Sequence, residues 1–381
     1  MNLLLLLSAA HALTLDETVR RAAEVDPLAV VAELTSRQAR LDAAEAWVQL
    51  GPTPSFTAAR TFSAGTTADT NRLRVSLDVL APEVWLDAGS ASAMARSLRH
   101  EAVATSLDAQ YAAATLFYTV LAAEAALTAA QEGERFAQAT ADATAARVTA
   151  GLESELAGRS ARLGLLEAQA YTAQSEADVV IARAGLSRAL QQDVDALEIP
   201  SGALAIPDAA TDSPWIDAAE AQLSMAKWDH ASAVAAIFPT GSIDADSTLG
   251  TIEDWSLSLG VTWEFDGLAG PFIRARRAAL EQKIEVIQLD AVERDLALGL
   301  TTAREQARAA DRVAEAARAR EELADESLQV GQTRLSVGLA SSLEVLRLQD
   351  DAADARADRV NAELDAATAR LEARRVAGLA W

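Results

Sequence analysis

Apolar and small residues recur along this chain in alternating steps of four and three, the stripe of a coiled coil. After Gly151 they fall at Leu166, Ala170, Ala173, Ala177, Val180 and Ala184; after Gly338 they fall at Ala353, Ala357, Val360, Leu364, Ala367 and Leu371. Each member of the second set lies 187 positions beyond its partner in the first, as do Gly338 beyond Gly151 and Arg334 beyond Arg147. This register predicts two copies of one helical hairpin unit.

The pattern extends on both sides of the hairpins. Leu15–Leu50 reads as helix, with Ala32, Ala39, Ala43 and Ala46 on one stripe and Gly51-Pro52 as its stop, and Trp215–Phe238 reads as its counterpart before Pro239. Each is followed by two short alternating segments. The clearest runs Trp255, Leu257, Leu259, Val261, Trp263, Phe265, with Ser256, Ser258, Gly260, Thr262 and Glu264 between them: one apolar face, one polar face. Leu73–Val79, Phe56–Phe62 and Ile243–Leu249 complete two β-hairpins. Long helices are predicted from Ser90 to about Ala150 and from Pro271 to about Val337, with a heptad at Leu107, Tyr111, Ala114, Tyr118, Leu121 and Ala125 and another at Leu280, Ile284, Ile287 and Ala291. At ~1.5 Å per residue, sixty helical residues reach about 90 Å. The chain is expected to turn at Gly151 and Gly338 and return as each hairpin's second helix.

The expected organisation is a signal peptide over 1–12, a first repeat over 13–193, a linker over 194–213 carrying Pro200 and Pro207, and a second repeat over 214–381. The first segment has an apolar core, Leu3–Leu7, and a small-x-small site at Ala10-His11-Ala12, the pattern of an exported precursor. No later segment offers about 20 consecutive apolar residues, so a membrane span would have to be made of strands. Trp255 and Trp263 are eight residues apart, roughly 26 Å at ~3.3 Å per residue, close to the ~25 Å apolar band of an outer-membrane barrel with its aromatic girdles. A half-buried hairpin of a soluble sheet shows the same alternation. Four strands cannot close a barrel, so a membrane reading requires about eight strands from a dimer or twelve from a trimer.

Composition narrows the chemistry. Half the residues are hydrophobic but only 4% are aromatic, the rest being largely alanine, which favours slender, closely approaching helices. A net charge of −23 argues against nucleic acid as a partner. The absence of cysteine removes disulfides, thiolate catalysis and Cys-ligated metals. His100-Glu101 begins a zinc-helix pattern, but position 104 is Ala, where the second ligand would stand. No nucleophile-and-base set and no phosphate-cradling glycine loop occurs, so neither enzyme activity, nor a cofactor, nor a metal is expected.

The opening Leu13-Thr14-Leu15-Asp16-Glu17, with Asp26-Pro27 and the alanine stripe after it, resembles the first helix of the TolC-type outer-membrane efflux proteins. The segment Arg334 to Leu346 resembles that family's periplasmic hairpin tip, and Arg147–Leu156 is a weaker copy in which Glu155 and Ala157 stand where the pattern has Ser and an acid. The resemblance implies a mainly α protein with a small β part: long coiled-coil hairpins plus four β-strands per chain, a homotrimer completing a twelve-stranded barrel and an α-helical tunnel. It implies location in the bacterial outer membrane, extending into the periplasm, contact with lipid, and passive conduction of solutes from a tripartite efflux or type I secretion system. The partners would be a periplasmic adaptor and an inner-membrane pump. Adaptor contacts would fall at Arg147, Gly151, Leu152, Arg334, Gly338, Leu339 and Ser341, although a hairpin turn needs its glycine whatever docks there. Entrance acids would be Glu344, with Arg347 where a second acid is expected, and Glu153 and Glu155. Trp255 and Trp263 would mark the membrane interface. The rival is a soluble periplasmic coiled-coil scaffold without a channel.

Overall fold

The structure, a computed structural model, describes residues 12–63, 66–200, 202–207, 213–248, 255–262, 269–379 and 381. The apolar leader through His11, and Trp263 and Phe265 at the end of the alternating run, lie outside the described residues. The elements in chain order are α1 Leu15–Val25, α2 Pro27–Val48, β1 Thr53–Ser63, β2 Thr66–Leu80, α3 Pro82–Thr149, α4 Glu155–Leu190, α5 Pro214–Ala235, β3 Thr240–Thr248, β4 Trp255–Thr262, α6 Gly270–Ser336 and α7 Ser342–Val376. The duplication is visible in the elements themselves. α5 begins and ends 187 residues after α2, α6 ends 187 after α3, and α7 starts 187 after α4.

The single helix expected over Leu15–Leu50 is two. Asp26 is extended (φ −62°, ψ 124°) and its carboxylate accepts from the amides of Leu28 and Ala29, because a residue preceding proline is driven out of the α region. α1 is opened by a capping box in which Thr14 and Glu17 bond each other's backbone amides.

The chain divides into two compact units, each drawing on both repeats. One comprises Met1–Val30, Ser106–Thr211 and Leu296–Trp381; the other comprises Val31–Thr105 and Asp212–Asp295. In the first unit, the long hairpins α3/α4 and α6/α7 pack side by side around α3, which buries Leu107, Tyr111, Ala114, Phe117 and Val120. α3 is apolar enough over part of its length to cross a membrane by length and composition, but that apolarity is largely alanine, and only about a fifth of the apolar window is buried. Arginine–carboxylate pairs lace α6 to α7, among them Arg318–Glu363 (2.7 Å), Arg356–Asp325 (2.6 Å) and Arg370–Asp311 (2.7 Å).

The second unit packs α2 on α3 through Ala39, Ala43 and Ala95. α3 meets α5 along a polar seam: Ser90 Oγ donates to Asp229 (2.5 Å), Ser232 Oγ to Asp87 (2.5 Å) and Gln222 Nε2 to Glu101 (2.9 Å). The strands form one antiparallel sheet in the order β1-β2-β3-β4.

One expectation from the heptads is reversed. Leu166, Ala170, Ala173, Ala177, Val180 and Ala184 all lie on the exposed side of α4, which instead buries Ala161, Thr172, Ser175, Val179, Leu186 and Leu190. Small hydroxyl residues serve an intrachain seam between close helices, since their oxygens can bond their own backbone; Thr172 Oγ1 donates to Ala168 O at 3.1 Å. In α7 the equivalent stripe turns partly inward, with Val360 and Leu371 buried and Ala353 exposed. Leu280, Ile284, Ile287 and Ala291 on α6 are exposed as well.

Candidate functional site: hairpin tips, open flanks and a two-faced sheet

Both hairpins turn by the same device. The amide of Leu152 donates to Arg147 O (2.8 Å) and that of Gly151 to Val148 O (3.0 Å); Leu339 and Gly338 repeat this with Arg334 O (2.7 Å) and Leu335 O (3.0 Å). This is the Schellman closure, and it places Gly151 at φ +70° and Gly338 at φ +77°. A Cβ at either glycine would meet nothing within 4 Å, so it is the left-handed backbone that demands glycine here. Ser154 and Ser341 then cap the returning helices by accepting from Ala157 and Glu344 amides, each at 3.2 Å.

The tips differ in where their charges go. Arg147 is drawn inward: its Nη1 donates to Leu335 O (2.9 Å) and its Nε lies 3.6 Å from Glu153, which also accepts from Ser342 Oγ (2.9 Å). Glu153, an entrance acid if the family resemblance holds, is thus held between the two tips, its side chain only 16% exposed. In the second copy Ala340 occupies the Glu153 position, so Arg334 reaches outward to Glu344 (4.0 Å), an acid that the first copy replaces with Ala157. Glu155 is fully at the surface beside Arg159. Leu152 and Leu339 are each 70% exposed at the apex, and Ser341 and Arg347 are exposed.

Behind the tips, a groove of about 280 Å³ runs between the hairpins, with Phe136, Tyr171, Leu328 and Leu346 among its walls. Glu167 from α4 and Asp350 and Asp354 from α7 edge it. Partial burial, then repulsion from Glu167, Asp354 and Asp351, pushes the Asp350 carboxyl above the usual aspartate range. Sequence reading passed over this acidic edge, since charges on helices are usually solvated.

Each unit leaves apolar flanks without a partner. In the second unit Leu34, Leu41 and Val48 on α2, and Ile273, Leu280 and Ile287 on α6, recur at intervals of seven and are all exposed. In the first unit the same holds for Leu156 and Leu163 on α4, with Ala170 and Ala177 continuing the interval, and for Leu323 and Val330 on α6. At ~25 cal/mol per Å² such stripes carry a driving force for association that one chain leaves unused.

The sheet has two chemically distinct faces. Reading across its register, Trp255–Ser247–Leu73–Phe56, Leu257–Ala245–Val75–Pro54 and Leu259–Ile243–Leu77 form rows on one side. Trp255, Leu257, Leu259, Val261 and Phe56 on that side are exposed, Leu259 by 81%. Ser256–Asp246–Arg74–Ser55 and Ser258–Asp244–Ser76–Thr53 form rows on the other, where Arg74 pairs with Asp246 (2.9 Å) and Ser76 Oγ donates to Asp244 (2.6 Å). Both outer strands, β1 and β4, have one edge without a partner among the described residues.

Residues 205–379 match the family described as outer membrane efflux protein. Among curated proteins, none matches the chain by sequence. Solved structures with this fold include the outer membrane protein VceC of Vibrio cholerae (TM-score 0.84, 16% identity, 96% of this chain and 96% of that one). They also include the open state of the MtrE outer membrane channel of Neisseria gonorrhoeae (TM-score 0.81, 18% identity, 96% and 88%). The CmeC outer membrane channel of Campylobacter jejuni is similar as well (TM-score 0.80, 14% identity, 96% and 85%). At these identities the likeness is one of fold.

Proposed function

We propose that the chain is an outer membrane efflux protein and works as a passive channel in the outer membrane, a reading supported by the family match over residues 205–379 and by the shared fold. Three copies would close one twelve-stranded barrel and one helical tunnel, and a periplasmic adaptor would link the tips to an inner-membrane pump. The reading rests above all on the sheet. A mostly apolar face, exposed at Trp255, Leu257, Leu259, Val261 and Phe56, backed by a polar face carrying Asp244, Asp246 and Arg74, with edges of β1 and β4 open among the described residues, suits a wall between lipid and water. A soluble scaffold would leave the same face in water, where an apolar patch of that size drives association.

The unpartnered heptads support the copy number being greater than one. α2 and α6 each present an exposed apolar stripe in one unit, and α4 and α6 do so in the other, so each chain offers more than one stripe for neighbouring copies to cover. Leu152 and Leu339 give each hairpin an exposed apolar apex, the feature an adaptor tip would grip. The inequality of the tips divides their work: Arg334, Glu344 and Ser341 stay exposed and within reach of a partner, whereas Arg147 and Glu153 hold the two hairpins together.

Native mass spectrometry of the detergent-extracted full chain tests the assembly. Three copies are expected. A monomer extracted from membranes without detergent would overturn the reading.

A further inference from the structure

The linker between the repeats crosses a cavity of about 550 Å³ whose other walls are α3, α6 and α7, a volume within the ~300–1,000 Å³ range of small-molecule sites. The linker is fastened on both sides of it. Leu13 N donates to Ala196 O (2.9 Å) and Glu198 N to Leu13 O (3.0 Å), while Ile206 packs on Ala303, Ala307 and Ala373. Between these anchors Pro200, Gly202, Ala203 and Leu204 line the cavity. Among the described residues, the stretch from 199 to 207 makes no backbone hydrogen bond. The described linker residues 199–200 and 202–204 form a strap over an opening rather than a packed loop.

The cavity's chemistry is specific. Its floor is hydrocarbon, with Leu121, Ala125, Val360, Leu364 and Ala367. The carboxylates on its rim are neutralised by the protein itself: Glu124 by Arg183, Asp311 by Arg370 and Glu363 by Arg318, each at 2.7 Å. A charged ligand therefore finds no unmatched counter-charge here, and would lose its hydration without compensation. Asp311 Oδ1 is buried with a charge partner but no hydrogen bond, and one uncharged hydroxyl is left to spare. Tyr118 is half-buried beside the cavity, its phenol raised above the usual range by burial, and its hydroxyl has no hydrogen-bond partner among the described residues. It stays protonated at neutral pH and is available to donate to an acceptor on a ligand.

We propose that this cavity binds an uncharged amphiphile that carries one hydrogen-bond acceptor, a carbonyl, ether or hydroxyl oxygen, received by the Tyr118 hydroxyl, with its hydrocarbon part laid against Leu121 and Leu364 beneath the strap. The residues involved all belong to one compact unit, so the site does not depend on conduction or on the number of copies.

The test uses the full chain in lipid nanodiscs and a neutral photolabel, a trifluoromethyl-diazirinyl benzyl alcohol, with the labelled peptides mapped by mass spectrometry. Labelling of the peptides carrying Tyr118 and Glu363 should saturate with probe concentration. Leu204→Trp, which fills the cavity from the strap and alters no helical residue, should abolish that labelling, and Ala367→Trp, entering from the opposite wall, should do the same. Tyr118→Phe keeps the ring and removes the donor; it should raise the half-saturating concentration about five-fold, the worth of one neutral hydrogen bond. Labelling that never saturates and is spread along all the helices, or that survives both tryptophans, overturns the site. An unchanged half-saturation in Tyr118→Phe overturns the assigned acceptor.

Discussion

Arg147 donates its Nη1 to the main-chain oxygen of Leu335 at 2.9 Å, so the last turn of α3 is tied to the last turn of α6. Its equivalent one repeat on, Arg334, has only a 4.0 Å contact with Glu344, both half-exposed. Two residues at the same place in duplicated sequence therefore do different work. A hydrogen bond from a charged group that is mostly shielded contributes about 1.5–3 kcal/mol, against ~0–1 kcal/mol for an exposed pair.

Arg147→Ala should accordingly free the tips, raising amide exchange at Leu152 and Leu339 by about ten-fold or more, which is ~1.4 kcal/mol. Arg334→Ala should leave exchange there nearly unchanged. Equal responses from the two variants, read by hydrogen–deuterium exchange, would contradict the asymmetry.

Gly89 lets Trp228 lie directly on α3: a Cβ at that position would sit 2.8 Å from the indole ring. Gly89→Ala should cost about 1–3 kcal/mol through overpacking, despite the better helix propensity of alanine. Thermal unfolding followed by Trp fluorescence would register it as a lowered Tm. Gly133→Ala, where the added methyl meets nothing within 4 Å, should be neutral or stabilising.

Asp350 gives the hairpin pair a pH dependence with a definite sign. Its carboxyl is raised by partial burial and by Glu167, Asp354 and Asp351, so the folded state holds its proton more tightly than the unfolded chain does. Stability from this group is complete below the ordinary aspartate value, about 3.9, and is lost as pH rises through the raised one. Asp350→Asn should therefore raise Tm at pH 7 and leave it unaltered near pH 3. A variant that lowers Tm at pH 7 would show that the carboxylate is satisfied there.

The open flanks predict variants that fold but do not assemble. Leu41→Glu on α2 and Leu280→Glu on α6 place charges on side chains that are 72% and 56% exposed in the single chain. Helicity by circular dichroism should hold in both. Size-exclusion chromatography with light scattering should show a shift from trimer to monomer. Retained trimers would exclude these stripes from the contacts between copies.

How far the sequence could be read depended on the kind of signal. The 187-residue offset, the turns at Gly151 and Gly338 and the alternating strands rest on backbone rules and single-residue signatures, and all are legible without tertiary information. The direction in which a stripe faces is not. The series from Leu166 to Ala184 is a sound heptad, yet it faces away from its own chain, because α4 uses Thr172 and Ser175 for the intrachain contact. Periodicity reports that a face is apolar and is silent on whose surface covers it. The inward turn of Glu153 was equally hidden, since it depends on Ser342 and Arg147, the first of which is 189 residues away. The break at Asp26-Pro27 could have been read from the proline alone.

The central claim is that copies of this chain enclose a water-filled path across a membrane. Single-channel recording answers it most directly: the detergent-purified full chain is added to a planar lipid bilayer, and current is measured under voltage before and after the protein is heated to dissociate its oligomers. Discrete, uniform conductance steps that vanish on heating are the predicted result. A bilayer that stays sealed while intact trimers are demonstrably inserted would contradict the account.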